Sequence, residues 1–92
     1  MIIRLFANFR DICGANAVTI TPNTPTVRGA LQALIEQHPA MKAALFEKDG
    51  ETLRPLVHIL INGKNIHFMN GLETEIQESD SFALFPPVAG GM

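Results

Sequence analysis

Ser81-Phe82-Ala83-Leu84-Phe85-Pro86-Pro87-Val88-Ala89-Gly90-Gly91-Met92 closes the chain and joins two unlike segments. Ser81 to Phe85 reads as a strand whose two faces are both apolar, the mark of a strand placed inside a sheet. Pro86 and Pro87 cannot donate backbone hydrogen bonds, so they end that strand and hold the chain extended. The glycine pair that follows offers nothing to a core and costs the most entropy to order. It makes sense if another protein threads it through a channel where any Cβ would clash. At about 3.3–3.6 Å per residue, the segment from Pro86 to Gly91 reaches roughly 20 Å from the domain. A terminus that simply frays would also tolerate glycines; the stiff Pro-Pro-Val lead-in favours a carrier arm.

The opposite end has the same character. Met1 to Phe9 sets Ile3, Leu5, Ala7 and Phe9 against Ile2, Arg4, Phe6 and Asn8, predicting a strand with two distinct faces. Arg10 to Asn16 reads as turn chemistry. Val18 and Ile20 alternate with Thr19 and Thr21 in a second strand that closes a hairpin. Thr26 is the expected N-cap of a helix carrying Ala30, Leu31, Leu34 and Ile35 at helical spacing, and Pro39 stops it near His38. Met41 to Phe46 suggests a further short helical piece. Val57, Ile59 and Ile61 mark a third strand, Asn62-Gly63 a tight hairpin turn, and Asn65 to Phe68 a short return strand. Gly71 to Ile76 reads as a loop or single turn. The order ββ-α-ββ-β is an α+β roll, a mixed sheet covered by one main helix, with first and last strands as central neighbours. Residues 1–86 form the domain and residues 87–92 a flexible tail.

Composition narrows the function classes. Ninety-two residues make one domain that buries about 60–65% of its unfolded surface. Seven basic against nine acidic side chains, with no basic cluster, argue against a nucleic-acid partner. No apolar run reaches membrane-spanning length, and the N-terminus enters a strand without a signal peptide. A single cysteine, Cys13, excludes an internal disulfide and suits a cytoplasmic setting.

Several motifs together resemble one family: Leu5-Phe6-Ala7, Thr26-Val27, Leu34 with His38-Pro39, Ile61-Asn62-Gly63, Gly71-Leu72-Glu73-Thr74, and Phe85-Pro86-Pro87-Val88-Ala89-Gly90-Gly91. They are similar to the β-grasp, ubiquitin-like sulfur carriers of the MoaD/ThiS family, which includes the small subunit of molybdopterin synthase. The resemblance spans nearly the whole chain. Two departures stand out: Glu78-Ser79-Asp80 replaces a Gly-Asp pair, and the chain runs past the second glycine to Met92.

The resemblance implies a carrier rather than an enzyme. In the family an E1-like adenylating enzyme uses ATP to activate the terminal glycine carboxylate, and sulfur then displaces AMP to leave a thiocarboxylate. A sulfur-accepting enzyme, either a molybdopterin synthase large subunit or a sulfhydrylase, receives that sulfur. Here the reacting residue would be Gly91, and Gly90, Ala89, Val88, Pro87 and Pro86 would thread the partner's channel. The chain has no phosphate loop and no acid–base pair of its own, so ATP belongs to the partner and no bound cofactor or metal is expected. Met92 makes Gly91 an amide. Either a protease trims the chain, or this is a variant that carries no sulfur; the intact glycine pair favours trimming. Carriers for cysteine, homocysteine or thiamine synthesis, a protein modifier joined to lysines, and a non-covalent interaction module stay open.

Strand parity adds a docking surface. If Ile3, Leu5 and Ala7 face the helix, Arg4 and Phe6 face away, as do Ala83 and Phe85 on the last strand and His58 and Leu60 on the third. Phe6, Leu60 and Phe85 would then form an exposed apolar patch near the root of the tail, the surface through which the family meets its partners. Cys13 lacks a neighbouring base and reads as inert. His58 and His67 have no third ligand at recognisable spacing, so they read as surface groups rather than a metal site. Lys42, Lys48 and Lys64 carry no site signal.

Overall fold

The computed structural model describes residues 1–87. Its five strands are β1 (Ile2–Leu5), β2 (Ala17–Thr19), β3 (His58–Ile61), β4 (Lys64–Asn65) and β5 (Phe82–Phe85). They form one sheet in the order β2-β1-β5-β3-β4. β1 and β5 run parallel at its centre, Ile3 opposite Phe82 and Leu5 opposite Leu84; the other pairings are antiparallel. This is the mixed β-grasp sheet that the element order predicts.

The main helix, α2 (Val27–Gln37), begins where expected. The Thr26 hydroxyl accepts the Gly29 N–H, and the helix closes at His38, ahead of Pro39. Val27, Ala30, Leu31 and Leu34 are buried, as are Ile3, Leu5, Ile59, Ile61, Phe82 and Leu84 from the inner face of the sheet. α3 (Met41–Leu45) adds Met41 and Leu45 to the same core. Asn62-Gly63 turns the β3–β4 hairpin with both residues at positive φ, 53° and 83°, the signature of a type I′ turn.

The chain differs from its sequence reading in three places. β1 stops at Leu5, and Asn8–Cys13 is a helix, α1, in place of strand end and turn. The alternation of Met1 to Phe9 misleads there because Phe9 is buried from a helix while Ala7, read as helix-facing, is exposed. Gly14 caps α1 in the left-handed region, donating to the Arg10 carbonyl. Only Lys64–Asn65 of the return strand pairs; Ile66–Phe68 is a 3₁₀ turn started by the Asn65 side chain, which accepts the His67 N–H at 2.9 Å. Pro86 is buried, so its ring belongs to the body.

Two backbone positions yield stability tests. Ala7, between β1 and α1, holds φ 52° and ψ −133°, a region that glycine enters freely and alanine does not. Ala7→Gly should stabilise by about 1 kcal/mol, raising the melting temperature by roughly 4–8 °C. Gly29 is the reverse case, because a Cβ there would overlap the Thr24 carbonyl oxygen. Gly29→Ala should cost about 1–3 kcal/mol, read by thermal denaturation.

Candidate functional site

β1 and β5 each leave a phenylalanine on the face of the sheet opposite α2. Phe6 follows β1 directly and Phe85 ends β5, and the parallel register brings them side by side. Their rings stack with centroids 4.3 Å apart and planes 10° from parallel. Both are half-buried, as are Ala83 beside Arg4 and Leu60 beside Ala83 on the next strand. The three residues expected to form the patch therefore share one face, with Phe85 immediately before Pro86. An offset aromatic pair contributes about 0.5–1.5 kcal/mol beyond its buried area, so the stack also stiffens the end of β5.

Pro86 is buried, and Pro87 lines a shallow surface pocket together with Glu47, Arg54, Pro55 and Leu56 from the segment that precedes β3. Val88, Ala89, Gly90, Gly91 and Met92, on which the threading and carrier readings rest, lie outside the described residues. The last described residues, Pro86 and Pro87, thus follow a strand end that carries the aromatic stack.

Behind β5 a small polar network sets that strand's start. Asn62 donates from Nδ2 to Asp80 Oδ1 at 3.0 Å and accepts the Ser81 N–H at 2.9 Å. The Gln77 N–H donates to Asp80 Oδ2 at 2.7 Å, and the Asp80 N–H to the Gln77 carbonyl at 2.9 Å. Glu78-Ser79-Asp80 therefore forms a tight turn in which Asp80 does the structural work. The Gln77 N–H and then the Asn62 amide hold its carboxyl below the usual carboxylate range.

Cys13 ends α1, and burial pushes its thiol up, which lowers its thiolate content. His58 faces outward opposite Phe85, with Nδ1 3.4 Å from Asn65 Nδ2, while His67 sits in the 3₁₀ turn. Among the described residues no group of three His, Cys, Asp or Glu could hold a metal ion, and no helix is long and apolar enough to cross a membrane. Sequence reading missed Arg28, which donates from Nε to Glu73 at 2.8 Å and from Nη1 to the Glu51 carbonyl, tying α2 to two loops.

Comparison with known proteins fits this geometry. The model of the ThiS family matches residues 3–91. The chain belongs to that family. It is 33% identical over 90 residues to small archaeal modifier protein 3 of Haloferax volcanii, covering 97% of this chain and 96% of the relative. The crystal structure of small archaeal modifier protein 1 from the same organism superposes with a TM-score of 0.84 at 36% identity, over 99% and 98% of the two chains. The molybdopterin synthase sulfur carrier subunit of Escherichia coli is 27% identical over 89 residues, 97% of this chain and 96% of that one. This ThiS-family chain is accordingly a ubiquitin-like protein of the sulfur-carrier and modifier group.

Two measurements follow. Phe82 is fully buried and Phe85 only half, so Phe82→Ala should cost about 3–5 kcal/mol and Phe85→Ala about 1 kcal/mol, compared by denaturant unfolding. Asp80, with its lowered pKa, adds stability that is present above the ordinary carboxylate range and fades as pH falls through the lowered value. The melting-temperature gap between the parent and Asp80→Ala should therefore be wide at neutral pH and narrow in acid.

Proposed function

We propose that this chain is a sulfur carrier whose Gly91 carboxylate is activated and thiolated by an E1-like enzyme and whose sulfur goes to a pterin precursor of the molybdenum cofactor. The observation that carries the reading is the half-exposed Phe6–Phe85 stack at the root of a tail ending in Gly90-Gly91. A partner that grips the sheet face holds the body while the tail lies in its active site. Tethering then raises the effective concentration of the reacting carboxylate.

The chemistry needs a free carboxylate. One oxygen of Gly91 attacks the α-phosphorus of ATP, pyrophosphate leaves, and the acyl-adenylate forms. A sulfide equivalent adds to the carbonyl carbon and AMP departs with the bonding pair, leaving the thiocarboxylate. Transfer of that sulfur with water entering in its place returns the carboxylate. Met92 blocks the first step, because Gly91 is then an amide; a protease must release it. The tail's small residues give the reacting carbon access to a narrow channel.

A second reading uses the same activation but ends on a lysine amine of another protein. The 33% identity to a relative named as a modifier, against 27% to the molybdopterin carrier subunit, favours it as the alternative. Both readings share the step that is tested first. The chain ending at Gly91 should support ATP–pyrophosphate exchange with its adenylating enzyme, and the full chain should be silent until Met92 is removed. Equal exchange by both, with Met92 still attached by mass, would leave the tail as an arm for non-covalent binding.

A further inference from the structure

The outward-facing residues of the five strands are Ile2, Arg4, Ala17, Thr19, His58, Leu60, Asn65, Ala83 and Phe85. None of them is acidic, although the chain as a whole carries a formal charge of −2. Arg4 is the one permanent charge among these strand residues. Its cross-strand neighbours are Ala17 on β2 and Ala83 on β5, so only methyl groups flank it on either side. It is exposed, and the Arg28–Glu73 pair is the sole ion pair among the described residues, so no carboxylate of that set neutralises Arg4. Phe6 lies two residues on, just past the end of β1, and Leu60 shares the cross-strand row of Arg4 through Ala83.

We infer that Arg4 is the charged specificity element of the docking face, and that it pairs with a carboxylate beside the apolar surface of the adenylating enzyme. This rests on the docking role proposed above and adds the charge its partner must present. An apolar patch alone discriminates poorly between partners, whereas an uncompensated guanidinium penalises any surface that offers no acid. Arginine's planar fork suits a carboxylate in two-point contact, and its aliphatic stem can lie over Ala83 without losing that geometry. A second copy of this chain is a poor occupant. Two-fold pairing of the face would bring two Arg4 guanidinium groups into one interface with no acid among the strand residues to pair either of them.

The test is a titration of the full chain against the E1-like adenylating enzyme of the same organism, since binding does not need a free Gly91 carboxylate. Four variants are compared at low and high salt: Arg4→Lys, Arg4→Met, Arg4→Glu and Phe85→Ala. Arg4→Glu should weaken binding about tenfold or more, Arg4→Met less, and Arg4→Lys least. Arg4→Met should also lose much of the parent's salt dependence. Arg4 is exposed, so all three substitutions should leave the melting temperature nearly unchanged. If Phe85→Ala weakens binding and Arg4→Glu does not, the charge assignment is wrong and the docking face stands. If neither variant changes the affinity, the docking face itself is wrong and the inference goes with it. Sedimentation that shows a dimer dispersed by Arg4→Glu would make a second copy the occupant and overturn the proposal.

Discussion

The parallel pairing of β1 with β5 at the centre of the sheet is the constraint from which the rest follows. Because the chain's first and last strands lie side by side, neither end of the domain is free to fray, and the two strands share both of their faces. On the inner side Ile3, Leu5, Phe82 and Leu84 meet Val27, Ala30, Leu31 and Leu34 of α2 in a sealed core. On the outer side the same register brings Phe6 against Phe85. One pairing thus fixes the core, builds the half-buried aromatic stack, and sets the place of Phe85 and Pro86 at the end of the last strand.

That arrangement separates two demands that a small carrier must meet. Stability comes from the helix-covered face, where the burial of large side chains dominates. In the proposed reading recognition falls to the opposite face, where half-buried aromatics and one arginine can be traded at little cost to the core. The turn at Gln77–Asp80 serves the first demand at the edge of the second. Its carboxylate and the Asn62 amide pin the start of β5, which keeps the strand in register through to Phe85. Pro86, buried just beyond, carries that rigidity to the point of exit.

Much of this is legible in the sequence because the decisive elements are local and strongly patterned. Thr26 and Pro39 bracket α2, Asn62-Gly63 demands a type I′ turn, and parity along β3 and β5 separates inward from outward residues once Ile3 and Leu5 are set toward the helix. α1 was not legible. Its apolar residues Phe9 and Ile12 fit a continuing strand alternation or a turn as well as a helix, and a helix of six residues is too short to establish its own period. The tertiary burial of Phe9 makes the choice, together with an Ala7 backbone that breaks the strand at a cost. The 3₁₀ turn after β4 depends on a side-chain cap from Asn65 that propensity alone does not reveal. At the candidate site, parity placed Phe6, Leu60 and Phe85 on one face, but the stacking of the two rings and the burial of Pro86 required the assembled sheet.

Family membership and the geometry of the root leave the chemistry of the tail to be tested on the molecule itself. The central claim is that Gly91 becomes a thiocarboxylate once Met92 has been removed. Intact-mass spectrometry of the protein isolated from its native cell addresses this directly. The account predicts a species that lacks Met92 and has sulfur in place of one carboxylate oxygen, with the added mass confined to the C-terminal fragment. A population that keeps Met92 throughout, with no sulfur-bearing species, would contradict it.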